Sequence, residues 1–213
     1  METEKILKEL AVKLEAGDAE AVANLTNQAL GENASAETIL NDGLVAGMNV
    51  VGGKFKNNEI FIPEVLIAAR AMKAGMKIIR PLLVEAKVKS RGKVIIGTVK
   101  GDLHDIGKNI VSMMLEGAGF EVVNMGTDMS IEDIVAQVRK DKPDVIGLSA
   151  LLTTTMVYMG DVVNALKENK MDDVKVIIGG APITQAYADD IGADGYAPDA
   201  ASAVDMVKGL LGS

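Results

Sequence analysis

Cysteine and tryptophan are absent from the 213 residues of this chain, and histidine occurs once, at position 104. Because cysteine is absent, the chain has no disulfide framework, no thiolate zinc site and no thiol nucleophile. A single histidine also excludes a metal centre built from several histidines of one chain. Aromatic residues make up only 3% of the sequence, so aliphatic side chains and twelve methionines must supply most of the core.

Strong positive charge and long apolar runs are also missing. The formal net charge is −8 at pH 7, so attraction to the phosphate backbone of a nucleic acid is a poor explanation of function. No apolar run reaches the roughly 18 residues needed to span a membrane, and the charged start METEKILKEL lacks the apolar core of a signal peptide. We therefore expect a cytoplasmic protein without nucleic-acid or membrane partners, and the lack of cysteine agrees with this location.

Residues 1–88 are predicted to form a helical domain, a bundle of four helices, because apolar residues recur at helical spacing through most of this segment. The first helix is expected to end at Gly17, since glycine favours the backbone conformation found at helix ends. Asp18 and Ser35 are the predicted N-caps of the second and third helices, because their side chains can accept hydrogen bonds from free backbone N–H groups.

Glycine and proline positions refine the third and fourth helices. Gly43 and Gly47 lie four residues apart in the third helix, so a neighbouring helix is expected to approach it closely there. Pro63 suits the first turn of the fourth helix, and Pro81 is expected to end it. The polar, glycine-ended segment 86–92 is the predicted boundary between two domains.

From residue 89 to residue 213, short apolar runs alternate with helical patterns. The predicted strands are KVIIGTV, FEVVNMG, DVIGLSA, VKVIIGG and DGYA. Continuous apolar strands separated by helices are typical of a parallel sheet with both faces covered. The prediction for 89–213 is therefore a doubly wound α/β domain of the Rossmann or flavodoxin-like type with five parallel strands. Ligands of such domains bind beyond the carboxyl ends of the strands.

Three loops follow three of these strands, at 101–107, 149–155 and 179–182. His104 in the first loop has three interpretations: a surface histidine, a metal ligand, or a general base with one ring nitrogen held by Asp102. The double glycine of the third loop is either an ordinary turn or room for a flat ligand, and the threonines of the second suit helix capping. The first loop has neither a P-loop ending nor a GxGxxG motif, which disfavours a nucleotide site.

The three loops carry the motifs DxHxxG, SxL and GG. In this order they resemble the cobalamin-binding domain shared by methionine synthase, cobalamin-dependent mutases and corrinoid methyl carriers. Forty-one residues separate the first motif from the second and 27 separate the second from the third, as in that family. The string GDLHDIGKNIV is close to the methyl-transferring branch. In the first half, the stretch from GMNVVGGKF to NEIFIPEVLIAARAMKAGM resembles the helical cap that precedes this domain.

The resemblance implies roles for the first loop. His104 would be the lower axial ligand of cobalt in place of the cofactor's own dimethylbenzimidazole, which is the base-off, His-on arrangement. Asp102 would hydrogen-bond the other imidazole nitrogen, and Thr155 stands where methionine synthase has a serine that completes this relay. Further cofactor contacts are implied within the same loop, at Gly101, Asp105, Ile106 and Gly107.

The resemblance also implies a slot beside the sheet for the displaced nucleotide tail, lined by Ser149, Leu151, Thr153, Gly179 and Gly180. Ala200 would contact the corrin ring. In the helical domain, an apolar lid over the upper face of cobalamin would be formed by Phe61, Ile62 and Leu66. A branched side chain at position 180 is expected to block the tail while leaving the fold intact.

The function implied by the resemblance is that of a corrinoid protein, which carries a methyl group on cobalt and does not turn over substrate alone. The cofactor would be cobalamin, as methylcobalamin when loaded. The partners would be a substrate-specific methyltransferase, a second methyltransferase acting on tetrahydrofolate or a thiol, and a reductive activator. The methyl donor stays open among methylamines, methanol, betaine and methoxyarenes. Two other functions are considered, the cobalamin-binding subunit of an adenosylcobalamin-dependent mutase and a cobalamin-sensing module.

Overall fold

The computed structural model describes residues 2–212, and the chain divides into two compact units. The first unit ends at Ser90 and also takes in Glu116–Gly119, and the second consists of Arg91–Leu115 and the chain from Phe120 onward. Within the described residues, no helix has both the length and the apolar character that a membrane span requires.

The first unit is helical. It contains the four predicted helical stretches, and a π-helix divides the third of them. The bounds are α1 Glu2–Glu15, α2 Ala19–Gly31, α3 Ala36–Thr38, the π-helix Ile39–Val45, α4 Ala46–Lys56 and α5 Ile62–Glu85. Helix α2 packs against both α1 and α5. The four-helix prediction is confirmed, and the π-helix was not predicted.

The predicted helix ends depend on capping groups that the structure contains. Gly17 has a φ of +76° two residues after the end of α1, a conformation that glycine adopts without steric cost. The Asp18 carboxylate accepts a hydrogen bond from the Ala21 N–H at 3.0 Å, and the Ser35 hydroxyl accepts one from the Thr38 N–H at 3.0 Å. Both predicted N-caps are confirmed.

The glycine pair in the third stretch meets α1. A Cβ at Gly43 would lie 3.1 Å from a Leu10 side-chain carbon, and one at Gly47 would lie 2.9 Å from the Ala11 carbonyl oxygen. The predicted close approach is confirmed, because any side chain at position 47 would overlap the neighbouring backbone.

The predicted end of α5 at Pro81 is wrong. Pro63 lies in its first turn as expected, but the helix passes through Pro81 and ends at Glu85. Proline removes one backbone donor from the helix. Ile79 and Leu83 on either side of Pro81 are both buried, so their packing holds the last turn in place at the cost of that hydrogen bond.

The second unit is built on a five-stranded sheet. The strands are β1 Lys93–Thr98, β2 Glu121–Asn124, β3 Val145–Ser149, β4 Lys175–Gly179 and β5 Gly195–Tyr196; the helices are α6 Ile106–Gly117, α7 Ile131–Asp141, α8 Thr153–Glu168, α9 Gln185–Ile191 and α10 Ala200–Leu211. All neighbouring strands pair in parallel, in the order β2-β1-β3-β4-β5, which is the flavodoxin-like order. The fold predicted for the second half is confirmed.

The core of the second unit covers both faces of the sheet. Five consecutive residues of β1 are buried, and successive side chains of a strand point to opposite faces. Ile95 of β1 belongs to a cluster that includes Ile134 of α7 and Val162 of α8. Because both faces of the sheet are packed, a ligand can reach the sheet only at the edge where the strands end.

Candidate functional site

The last residues of three adjacent strands lie side by side. Thr98 of β1 is paired with Ser149 of β3, and Ser149 with Gly179 of β4. The three loops that carry the sequence motifs therefore begin at the same edge of the sheet, as the sequence predicts.

Asp102 is the centre of the arrangement at this edge. Its side chain is completely buried, and its two oxygens accept hydrogen bonds from two loops. One oxygen accepts from the His104 ring Nδ1 at 2.8 Å and from the His104 backbone N–H at 3.0 Å. The other accepts from the Leu151 N–H at 2.8 Å and from Thr155 Oγ1 at 2.7 Å. Thus one carboxylate joins the first motif to the loop that follows β3.

These hydrogen bonds keep Asp102 ionised. Burial raises the pKa of Asp102, because the charged form loses its hydration. Hydrogen bonds from Thr155, Leu151 and His104 stabilise the charged form and together outweigh burial, so the pKa of this carboxyl lies well below its usual range. The ionised carboxylate is a strong acceptor for the histidine ring.

The His104 ring is held on one side and open on the other. An ionised Asp102 oxygen next to Nδ1 requires that Nδ1 carry a proton, which leaves the lone pair on Nε2. In the described part of the chain, Nδ1 is the ring atom that makes a hydrogen bond, and the side chain is 53% exposed. The His104 carbonyl oxygen accepts from Thr98 Oγ1 at 3.0 Å, which anchors the loop to the end of β1.

Thr155 occupies the relay position that the resemblance gives it. It is buried near the start of α8, and its hydroxyl lies 2.7 Å from Asp102 and 3.0 Å from the Leu152 carbonyl oxygen. The single hydroxyl proton serves one acceptor at a time. The shorter contact to a charged oxygen is the stronger one.

Exposed apolar side chains lie beside His104 in the first loop and in the loop after β3, whose backbone donates to Asp102. Leu103 is 72% exposed and Ile106 is 71% exposed, and Leu151 and Leu152 are each 43% exposed. Large apolar side chains exposed beside a polar group are typical of a ligand-binding surface. We name these four residues the apolar rim.

The glycines of the motifs differ in how much space the protein leaves for a side chain at each position. Gly180 has a φ of +133°, and a Cβ there would lie 1.8 Å from the Ala150 carbonyl oxygen. The expectation that a branched side chain at position 180 leaves the fold intact is therefore wrong. At Gly179 a Cβ would lie 3.0 Å from the Ala197 carbonyl oxygen. At Gly107, by contrast, a Cβ would meet no tertiary neighbour within 4 Å among the described residues.

The other predicted site residues lie at different places. Ser149 is partly buried at the end of β3, Thr153 is exposed as the first residue of α8, and Ala200 is buried as the first residue of α10. Asp105 accepts a hydrogen bond from the Asn109 side chain at 2.9 Å. Phe61 belongs to the first unit and is exposed as the N-cap residue of α5.

Residues that the sequence reasoning missed also bear on the site. Thr98 anchors the His104 carbonyl, and its place at the end of β1 was the available signal. Lys108 is buried after Gly107 and donates hydrogen bonds of 2.7 Å to the amide oxygens of Asn109 and Asn124. This network ties α6 to the end of β2. Burial lowers the pKa of Lys108.

The donor set limits the kind of metal that could bind. Among residues 2–212, no group of three or more histidine, cysteine, aspartate or glutamate residues could hold a metal ion. A lone histidine suits a metal whose other ligands come from a cofactor. The Nε2 lone pair of His104, the apolar rim and the open space at Gly107 fit a large, flat metal macrocycle.

Comparisons with known proteins agree with this interpretation. The B12 binding domain family matches residues 92–205, and a second family described as a B12 binding domain matches residues 6–80. A dimethylamine corrinoid protein of Methanosarcina acetivorans is 46% identical over 213 residues, covering 99% of this chain and 100% of that protein. A corrinoid protein of Desulfitobacterium hafniense is 42% identical over 211 residues, covering 97% of this chain and 98% of that protein.

A solved structure extends the likeness to the three-dimensional fold. The methanol:cobalamin methyltransferase complex of Methanosarcina barkeri contains a chain with a TM-score of 0.89 and 30% identity, covering 98% of this chain and 80% of that chain. Family, relatives and structure confirm the resemblance found in the motifs. The chain belongs to the cobalamin-binding corrinoid proteins, with a B12 binding domain in each half.

Proposed function

We propose that this protein carries a methyl group on the cobalt of cobalamin, receiving it from a substrate-specific methyltransferase and delivering it to a second methyltransferase. The observation that supports this proposal most directly is the Asp102–His104 hydrogen bond, which leaves Nε2 with its lone pair. Membership of the corrinoid proteins supplies the cofactor class. The likeness to proteins named corrinoid proteins over 97% and 99% of this chain favours a methyl carrier over a mutase subunit or a sensor.

The geometry of the second unit supports a choice of residues that would hold cobalamin. We assign His104 Nε2 as the axial ligand of cobalt in place of dimethylbenzimidazole, in the base-off, His-on arrangement. The apolar rim would face the flat corrin, and Gly107 would leave room for it. Phe61 as a cofactor contact and the domain bounds 1–88 and 89–213 stay predictions.

Asp102 and Thr155 tune the histidine. When bound, cobalamin supplies a cobalt that can take up a methyl group and give it away. The ionised Asp102 accepts a hydrogen bond from Nδ1 and so fixes the tautomer and the orientation of the ring. Thr155 keeps Asp102 ionised by donating to its second oxygen.

The methyl donor that we propose is a methylated amine. Relatives named dimethylamine and trimethylamine corrinoid proteins, both from Methanosarcina acetivorans, are 46% and 44% identical over 99% and 92% of this chain. The partner would then be a methyltransferase for dimethylamine or trimethylamine. A reductive activator would restore the protein after accidental oxidation of the cobalt.

Labelling of the single histidine with ¹⁵N tests whether His104 binds the cobalt. Protein loaded with cobalamin and reduced to the cobalt(II) state should show a three-line nitrogen splitting in its electron paramagnetic resonance spectrum. Growth with ¹⁵N-histidine should convert each three-line pattern to two lines, because ¹⁵N has nuclear spin one half. Since His104 is the only histidine, the change has one source. His104→Ala is the control, and an unchanged splitting in the labelled protein would reject the assignment.

Stoichiometric methylation tests the carrier function. Reduced, cobalamin-loaded protein is mixed with a dimethylamine or trimethylamine methyltransferase and the matching amine, and the absorbance change of the corrinoid is followed. We expect one methyl group per bound cobalamin, and no further turnover until the second methyltransferase and its acceptor, tetrahydrofolate or a thiol, are added. Methanol with the same enzymes is the control substrate. The methyl-carrier proposal fails if no amine or methanol system methylates the loaded protein.

A further inference from the structure

Asp128 has a left-handed backbone conformation, although it does not lie at the end of a helix. Six non-glycine residues of the described chain have positive φ, and five of them lie one or two residues after a helix end: Asn33, Asn58, Lys87, Lys142 and Lys170. Asp128, with φ of +55°, lies instead between β2 and α7. Left-handed backbone is unfavourable for residues with side chains, and such exceptions cluster at functional sites.

Both polar ends of Asp128 contact the loop that carries the site. Its carboxylate accepts a hydrogen bond from the Gly101 N–H at 2.8 Å. Its own backbone N–H donates to the Asp102 carbonyl oxygen at 3.0 Å. Asp128 therefore holds the Gly101–Asp102 backbone at both ends, at the Gly101 N–H and at the Asp102 carbonyl oxygen.

The neighbours of Asp128 extend the β1–β2 pairing towards this loop. The Thr98 N–H donates to the Gly126 carbonyl at 3.0 Å, and the Met129 N–H donates to the Thr98 carbonyl at 3.0 Å. Val99 and Met129 form an isolated parallel bridge. The segment 126–129 thus braces the start of the first loop on the side away from Thr155.

We propose that Asp128 is a positioning residue for the Asp102–His104 pair, acting through the backbone of Gly101 and Asp102. Leu151 and Thr155 fix one oxygen of Asp102, and Asp128 fixes its backbone. Together they determine which way the other oxygen faces the imidazole. This inference rests on the proposed role of His104 as the cobalt ligand, but its first test needs no cofactor.

Nuclear magnetic resonance of the cofactor-free protein reports the pair directly. A protein with one ¹⁵N-labelled histidine gives a single pair of ring nitrogen signals. At alkaline pH, where imidazole is neutral, the wild type should show the Nδ1–H tautomer as the major form, because Asp102 accepts from Nδ1. Loss of the Asp128 acceptor should lower the ratio of the Nδ1–H to the Nε2–H tautomer about fivefold. A change of this size is expected when one hydrogen bond is weakened.

Three substitutions separate the hydrogen bond from the backbone conformation. Asp128→Asn keeps an acceptor oxygen and tolerates positive φ, so it should retain the wild-type ratio. Asp128→Gly accepts the conformation without cost but has no side-chain acceptor, and it should show the lowered ratio. Asp128→Ala loses both features and should lower the ratio at least as much. A wild-type ratio in Asp128→Gly would reject the proposal, and a loss in Asp128→Asn equal to that in Asp128→Gly would reject the hydrogen bond as its cause.

The cobalt(II) spectrum tests whether the contacts of Asp128 also affect binding of His104 to the cofactor. In loaded protein, Asp128→Gly should reduce the fraction of molecules with histidine nitrogen splitting, whereas Asp128→Asn should keep it. A wild-type protein without histidine splitting would reject His104 as the cobalt ligand and leave the tautomer result standing. Unchanged splitting in Asp128→Gly together with an unchanged tautomer ratio would reject the positioning role alone.

Discussion

Replacing Asp102 by asparagine is expected to lower the free energy of unfolding by about 3 kcal/mol at neutral pH, because buried donors then lose their acceptor. The carboxylate accepts from donors at both of its oxygens, and an amide has only one oxygen. If the amide NH₂ faces α8, the Leu151 N–H is left without a partner. If it faces the imidazole, the His104 backbone N–H is left instead. Rotation of the Thr155 hydroxyl relieves neither arrangement.

The loss should depend on pH in a defined direction. The pKa of Asp102 is depressed in the folded protein, whereas in the unfolded chain it is near its ordinary value of about 3.9. A depressed folded pKa means that the stabilisation is complete above the unfolded value and is lost as the pH falls towards the folded value. The difference between wild type and Asp102→Asn should therefore be constant from pH 7 to pH 5 and narrow below about pH 4.

Urea unfolding at pH 7, 5 and 3 measures this difference. Asp172→Asn is the matched control, since it removes one exposed carboxylate and should unfold like the wild type at each pH. A gap that widens in acid would contradict the assignment of a low pKa to Asp102. A mutant as stable as the wild type at pH 7 would mean that the hydrogen bonds do not stabilise the fold.

Residues at strand ends were predictable because periodicity and motif spacing act together. Apolar runs located the parallel strands, and parallel strands bring their carboxyl ends to one edge. Asp102, His104 and Thr155 therefore had to be close neighbours once the strand order was known. The structure added the partition of donors between the two oxygens of Asp102, which depends on the position of the Leu151 N–H.

Features that depend on tertiary packing were not predictable. The π-helix Ile39–Val45 follows an apolar pattern that an ordinary helix would also satisfy. Helix α5 continues beyond Pro81 because buried residues on both sides of the proline hold the helix. The low helix propensity of proline does not reveal this packing. Asp128 lies in a short segment between β2 and α7, and its contact with Gly101 joins residues 27 positions apart. No periodic signal connects them.

The same limit applies to the double glycine, where two causes give one sequence pattern. Glycine is required either because the protein itself has no space or because a ligand needs the space. Sequence cannot separate these causes. The structure does, since at Gly180 the overlapping atom belongs to the Ala150 backbone and at Gly107 the described chain leaves the space open.

Alanine at position 180 and alanine at position 107 should therefore have opposite effects. Gly180→Ala is expected to destabilise the fold by on the order of 4 kcal/mol, from the overlap with Ala150 and the unfavourable φ combined. Gly107→Ala should fold as well as the wild type or be up to about 1 kcal/mol more stable, because alanine favours a helix more than glycine does.

If cobalamin occupies the open space, Gly107→Ala should also raise the dissociation constant for cobalamin about tenfold, equivalent to overpacking by about 1.4 kcal/mol. Thermal unfolding and cobalamin titration of both variants measure these effects, and a Gly107→Ala protein that binds cobalamin with wild-type affinity would exclude this glycine from the cofactor surface.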